Sequence, residues 1–254
     1  MLRSLIELKD EVLEDRFKPI KKLLFEGAGL VITSDYEAMN TGNYVIVKTQ
    51  YASELSALVY HLKDICMGHL DYINKYDFYG RLGVAANKAI ANHYDKKTLL
   101  LDVIDEAIHF VGEIETIMYF AYGSNMDVSQ MSERCPSAKA IGVGRLNGYQ
   151  FSLDSVGAAT VIEQQHAFVW GVVWEIDGKD LAVLDRYEGV RAHCYSHTFV
   201  SVECDNQQHS VLVYISNRET NHGERRNNYL EKIVNAAEHW QFPEDYRKVL
   251  GELL

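Results

Sequence analysis

The sequence predicts an α+β chain in two parts, a mainly α-helical domain over residues 1–115 and a strand-rich domain over 116–254. Three observations carry this. Before residue 115, apolar residues recur with the 3.6-residue period of a helix. After it come short runs of β-branched and aromatic residues, broken by Gly, Asn and Asp. No stretch rich in Pro, Ser or Gly lies between, so a helix should pass directly into a strand. A length of 254 residues accommodates one or two domains.

In order along the chain, the first stripe is Leu5, Ile6, Val12, Leu13, Phe17, Ile20, Leu23 and Leu24, with Pro19 expected to break it near Lys18. Between Gly27 and Tyr51 the pattern is ambiguous. Leu30-Val31-Ile32 and Tyr44-Val45-Ile46-Val47 are too short for period alone to tell a buried strand from a helix. A second stripe runs Leu55, Leu58, Val59, Leu62, Ile65, Cys66, His69, Leu70 and Ile73. A third covers Leu82, Ala85, Ala86, Ala89, Ile90 and His93, and a fourth runs from Leu100 through Val103, Ile104, Ala107, Ile108 and Val111 to Ile114. Tyr72, Tyr76 and Tyr79 are expected at a core edge. Strands are expected at 117–121, 149–153, 159–162, 168–176, 195–203 and 211–215. Helices should open at Asp177 and near Arg226, with Pro243 in the first turn of a last short one. Trp170 and Trp174, at i and i+4 on one strand, should share a face in the core. The polar stretch from Asn221 to Asn228, with Arg225 and Arg226, reads as a surface loop or a lid.

Composition restricts the function. The chain has 25 Lys+Arg against 36 Asp+Glu, a net charge of −11 spread over both halves. A nucleic-acid partner is not expected, since phosphate contacts need a basic face. Membrane association is not expected either, because no apolar run approaches the ~18–20 residues of a span. The beginning of the chain meets acidic residues at once, unlike a signal peptide. Four cysteines without metal-ligand spacing suit a reduced, cytoplasmic setting. His193 and His197 would share a strand face, and are expected to be a solvated pair rather than a zinc site.

Two motifs carry chemistry. In Tyr119-Phe120-Ala121-Tyr122-Gly123-Ser124-Asn125 a buried strand ends in a tight loop before a helix over about 127–134. Gly123 would take positive φ and admit a ligand close to the backbone. Ser124 or Asn125 would cap the helix and leave N–H groups to face an anion or carbonyl oxygen. In Leu184-Asp185-Arg186-Tyr187-Glu188-Gly189-Val190 a helix ends with Gly189 as its left-handed cap. Glu188 at that negative end would have a raised pKa, suited to a general acid/base, or would be a solvated surface side chain. Asp185, Arg186 and Arg191 read as solvated ion-pair partners.

Together with Gly157-Ala158-Ala159-Thr160-Val161, Val169-Trp170-Gly171-Val172-Val173-Trp174, Tyr214 and Tyr229, these motifs resemble the γ-glutamylcyclotransferase family in order and spacing over about residues 116–253. The resemblance implies a small mixed-sheet β-barrel with flanking helices, and conversion of a γ-glutamyl amide to 5-oxoproline and free amine without metal or cofactor. It places substrate binding on Tyr119, Phe120, Ala121, Tyr122, Gly123, Ser124 and Asn125, with Tyr214 lining the pocket and Tyr229 beside them. Glu188 would be the acid/base. Gly-Ser-Asn in the loop looks closer to the branch acting on γ-glutamyl amino acids than to the glutathione-specific branch. γ-Glutamylamines, a protein-linked γ-glutamyl group, or a non-catalytic binding or regulatory module remain alternatives. Residues 1–115 resemble nothing recognised. They would serve a homo-oligomer, a protein partner, or a cap on the barrel mouth.

Overall fold

The computed structural model describes residues 1–18, 25–27, 30–34, 45–67, 75–92, 95–220 and 227–254. The chain divides into two compact units, Met1–Glu115 and Thr116–Leu254. The first contains helices α1 (Leu2–Leu13), α2 (Ala52–Met67), α3 (Lys75–Ala91) and α4 (Lys96–Val111), with short strands β1 (Phe25–Gly27), β2 (Leu30–Thr33) and β3 (Val45–Lys48).

Helix α1 ends six residues before Pro19, earlier than its apolar stripe suggests. Asp15 takes φ 56°, its N–H bonds to Val12 O, and Arg16 N–H bonds to Glu11 O. This is a Schellman ending with Asp where Gly is usual, so the expected signal was missing. The later part of that stripe (Ile20, Leu23, Leu24) and Pro19 lie outside the described residues. The ambiguous segment resolves into strands, β1–β2 antiparallel and β2–β3 parallel. Helix α3 packs closely on them. A Cβ on Gly83 would come within 2.7 Å of Val45 and 2.8 Å of Leu30. Helix α4 is capped by Asp95, whose side chain accepts from Thr98 N–H at 2.9 Å. Its Leu99–Leu101, Val103, Ile104, Ala107 and Ile108 are buried. Tyr79 is buried as well. Tyr72, and the side chain of Tyr76, fall outside the described residues, as do His69, Leu70, Ile73 and His93.

The second unit is a closed barrel in the order β4-β6-β5-β7-β8. Its strands are β4 (Ile117–Ala121), β5 (Lys139–Leu153), β6 (Ala159–Ile176), β7 (Tyr195–Cys204) and β8 (Gln207–Ser216). All pair antiparallel except β4 with β8, which makes the sheet mixed. Helices α5 (Val128–Arg134), α6 (Gly178–Tyr187), α7 (Asn227–His239) and α8 (Glu244–Gly251) flank it.

The barrel interior is narrow, and Phe120 fills it. A Cβ on Gly171 would sit 2.4 Å from Ala121 O and 2.6 Å from the Phe120 ring, and one on Gly144 would meet Val202 and Val173 at 2.7 and 2.8 Å. A ring this size inside five strands therefore requires glycine on the strands facing it. Phe120 pairs with Val173, so the pleat turns Trp170 and Trp174 to the opposite, outer face. The expectation that these tryptophans fill the barrel core is thus corrected. Trp174 packs edge-on against Trp240 (ring centroids 5.9 Å) and Trp170 against Phe242 (6.5 Å), in the segment joining α7 to α8. Alternation put them on one face, but only barrel closure decided which face was inside.

Gly171→Ala should therefore destabilise the barrel by about 1–3 kcal/mol through overpacking. Gly80→Ala, in open space on α3, should instead stabilise its own unit by roughly 0.5–1 kcal/mol. Urea unfolding followed by near-UV circular dichroism distinguishes the two effects.

Candidate active site

Strand alternation also determines where the site lies. Tyr119 pairs with Trp174 on one side and Leu212 on the other, and His197 pairs with Tyr214. Tyr119 and Tyr214 therefore project from the outer face of the barrel, where their rings meet edge-on at 5.7 Å. A cavity of about 640 Å³ opens beside them. Its walls come from the loop after β4, the ends of α5 and α6, the start of β6, strands β7 and β8, and α7.

After β4 the chain makes a 3-10 turn over Ser124–Met126 before α5 begins. The turn's own hydrogen bonds run from Met126 and Asp127 N–H to Gly123 and Ser124 carbonyls, so they do not use the Ser124 and Asn125 N–H groups. The helix cap is Asp127, which accepts from Gln130 N–H at 2.7 Å. The sequence expectation that Ser124 or Asn125 caps the helix is thus corrected: the inserted turn moves that duty three and two residues on, to Asp127, and turns their side chains to the cavity network. Gly123 does not take positive φ either: its φ is −111°. Space is tight there instead: a Cβ would come within 3.1 Å of Ala159 Cβ and 3.2 Å of the Tyr229 hydroxyl, which would have to give by a few tenths of an ångström.

Helix α6 starts at its cap Asp177, whose carboxylate accepts from Lys179 and Asp180 N–H at 2.8 Å. It ends at Glu188, followed by Gly189 at φ 65° in the left-handed region. Glu188 lines the cavity, half-buried, and its Oε1 accepts from Asn125 Nδ2 at 3.1 Å. Burial holds its carboxyl above the usual carboxylate range. The Arg134 charge and the Asn125 hydrogen bond oppose this, while Asp185 adds to it. Desolvation is the largest cause of the shift, where the sequence points to the helix dipole, and Glu188 is not a solvated surface side chain.

Asn125 is 4% exposed. Its Nδ2 also donates to the Tyr119 hydroxyl at 2.9 Å, and its Oδ1 accepts from Gln130 Nε2 at 3.0 Å and Arg134 at 2.8 Å. The Arg134 guanidinium stacks 4.1 Å above the Tyr187 ring, which is 58% exposed at the cavity edge. Arg218 and Lys232 line the cavity too; Arg218 bonds to the buried Asp154, and Lys232 donates to Gln130 Oε1 at 3.0 Å. Tyr229 is held by Ala159 N–H, which donates to its hydroxyl at 3.1 Å, and burial raises its pKa to about 12. Tyr195 donates to Ala159 O at 2.8 Å.

Of the residues singled out from sequence, Tyr119, Tyr122, Gly123, Ser124, Asn125, Glu188, Tyr214 and Tyr229 meet at this cavity. Phe120 and Ala121 do not: both are buried, and Phe120 points into the barrel. Arg134, Tyr187, Tyr195, Arg218 and Lys232 were missed. Tyr187 stands beside Glu188 in the second motif without a chemical signature of its own; the others belong to distant elements, and no local pattern brings them together. Two further expectations are corrected. Asp185 is 6% exposed and buried against His197 and Tyr214, not solvated. His193, at φ 55°, precedes β7, so it shares no strand face with His197, which is itself buried. Among the described residues no group of three His, Cys, Asp or Glu side chains is arranged to hold a metal ion, and no helix is long and apolar enough to cross a membrane.

A family model described as the AIG2-like family matches residues 168–250. The chain is 30% identical to a γ-glutamylcyclotransferase of Bos taurus over 151 residues, covering 55% of this chain and 79% of that protein. It is 34% identical over 97 residues to the γ-glutamylcyclotransferase of Mus musculus, spanning 52% of that protein. Among solved structures, a γ-glutamyl cyclotransferase superposes with a TM-score of 0.51 at 26% identity, over 54% of this chain and 87% of that one. An uncharacterized Homo sapiens protein gives the same score and coverage at 28% identity. With this identity extending over 79% of the bovine protein, the chain belongs to the γ-glutamylcyclotransferase family.

Proposed function

We propose that the Thr116–Leu254 unit converts a γ-glutamyl amide into 5-oxoproline and a free amine, with Glu188 as the general acid/base. The observation that carries this reading is the Glu188 carboxyl, lifted by burial and held by Asn125 in a cavity walled by the Ser124–Asn125 turn.

The chemistry asks for little else. The substrate's own α-amine attacks its γ-carbonyl, so no protein nucleophile is needed. A C–N bond forms to close the ring, and the original amide C–N bond breaks. Glu188 takes the proton from the attacking amine and returns it to the departing nitrogen. A carboxyl with a raised pKa suits both steps, because it neither holds nor releases the proton too firmly. The N–H groups of Ser124 and Asn125, which the turn's own hydrogen bonds do not use, would receive the oxygen on which charge develops, a contribution of about 10²–10³ in rate where single donors have been removed. Arg134, Arg218 and Lys232 at the walls offset the carboxylates that γ-glutamyl amino acids carry. Folding a flexible glutamyl chain into ring-closing geometry is the remaining demand, and orientation of this kind supplies up to about 7–11 kcal/mol. Tyr119, Tyr122, Tyr214 and Tyr229 would shape that space. γ-Glutamyl amino acids are the preferred substrates on this reading, ahead of γ-glutamylamines and protein-linked γ-glutamyl groups.

A panel of γ-glutamyl amides assayed for 5-oxoproline release tests the proposal. Glu188→Gln should lower kcat by roughly 10²–10⁴ while the amide still binds. Release from no member of the panel, with Glu188→Gln indistinguishable from wild type, would instead leave a binding or regulatory module.

Two pH experiments follow from the raised Glu188 carboxyl. The general base must be ionised, so kcat/KM should rise with pH along a limb lying above the ordinary Glu pKa of about 4.3. Arg134→Gln should move that limb to higher pH, because Arg134 is the largest influence holding the Glu188 pKa down. For stability the sign is opposite. The folded state binds the Glu188 proton more tightly than the unfolded chain, so stability is lost as pH rises through the folded pKa. Glu188→Gln should therefore raise the Tm at pH 7, and the gain should fade toward pH 4 in a calorimetric series.

A further inference from the structure

Tyr214 lines the cavity, yet its hydroxyl turns to a group outside it, donating to Asp185 Oδ1 at 2.7 Å. His197 Nε2 lies 2.7 Å from the same oxygen. The His197 and Tyr214 rings are 5.3 Å apart, centre to centre. Asp185 and His197 are both buried, and neither is among the cavity-lining residues. They come from α6 and β7, with Tyr214 on β8. An ionised Asp185 that accepts from Tyr214 also takes the His197 N–H, which places that proton on Nε2.

The place of Asp185 in the sequence gives this cluster its consequence. It stands three residues before Glu188, one helical turn away and on the same side of the α6 end. Buried carboxylates persist only when paired and hydrogen-bonded, and removing one partner is strongly unfavourable. We propose that Asp185 and His197 are positioning residues for the cyclisation: together they pin the last turn of α6 to β7 and β8, and so hold Glu188 against Asn125 in the cavity wall. The inference rests on the reaction proposed above for Glu188. Its geometric part, the dependence of the Glu188 position on His197, can be decided without any turnover.

The test compares His197→Phe with His197→Gln. Phenylalanine keeps a ring against Tyr214 and removes the donor to Asp185, whereas glutamine retains an N–H that can donate. For His197→Phe, kcat should fall by about ten- to a hundredfold, the range that misplacing a catalytic group by about 1 Å produces. KM should change much less. His197→Gln should recover most of the rate, and His197→Phe combined with Tyr214→Phe should lose no more than the worse single variant, because both act through one contact. A crystal structure of His197→Phe should show the Glu188 carboxyl out of hydrogen-bond reach of Asn125.

A wild-type kcat in His197→Phe, a loss matched only by a smaller folded fraction, or glutamine no better than phenylalanine would overturn the inference. So would an undisturbed Glu188–Asn125 contact in the crystal, even if the wild type processes none of the amides. That last outcome, by itself, defeats the proposed reaction and not the positioning role. Should His197→Phe fail to fold, Asp185→Asn, which keeps the side chain's shape but exchanges a carboxylate for an amide, is read in the same way.

Discussion

Four hydrogen bonds converge on the side-chain amide of Asn125, and they use its whole capacity. Its nitrogen donates to Tyr119 and Glu188, and its oxygen accepts from Gln130 and Arg134. With Arg134, which can only donate, on the oxygen side, the amide can point only one way. Through it the outer barrel face, α5 and the end of α6 share one fixed point. Little water reaches this residue, so each bond is stronger than it would be at the surface, and each would be costly to leave unmade. The position and basicity of Glu188 both depend on this node: the Asn125 bond lowers the carboxyl pKa while burial raises it.

The barrel contributes by being full. Phe120 occupies the interior only because Gly144 and Gly171 leave room for it, and the site's tyrosines stand on the opposite, outer face. The cavity therefore lies on the outside of the sheet, in the angle between the strands and the helices laid across them. The residues of the first motif divide accordingly. Phe120 packs inward, while Tyr119 turns outward to the cavity, because successive side chains on a strand face opposite ways. A contiguous motif thus contains both the filling of the fold and the wall of the site. Rigid strands and a dense core are a suitable base for chemistry that depends on fractions of an ångström.

The site was unevenly legible in the sequence, for identifiable reasons. Gly189 announces the end of α6 because a left-handed cap favours a residue without Cβ, and this locates Glu188 on a helix terminus. The same ending at Asp15 gave no such sign, since the backbone there accepts an Asp in the left-handed region and the apolar stripe runs on past it. Asp127 does not stand out as a cap because the preceding Ser124 and Asn125 are equally good capping types; a 3-10 turn that takes both of them in ahead of the helix is invisible in composition. Arg134, Arg218 and Lys232 carry no local pattern at all, and surface cations are the ordinary expectation for such residues.

What the sequence by itself determined is what short-range sterics and periodicity control: the helical stripes, the strand-rich second half, the glycine that ends α6, and the pairing of side chains on common strand faces. Closure of the barrel and the laying of α5, α6 and α7 against it decided the rest. Which strand face is buried, whether Asp185 meets water or His197, and whether the Glu188 carboxyl is desolvated all depend on elements tens of residues apart coming into contact. The physical reason is one of range. Backbone preference acts within about one helical turn, whereas desolvation and charge pairing are set by whatever atoms surround a group in space, and only the folded chain supplies those.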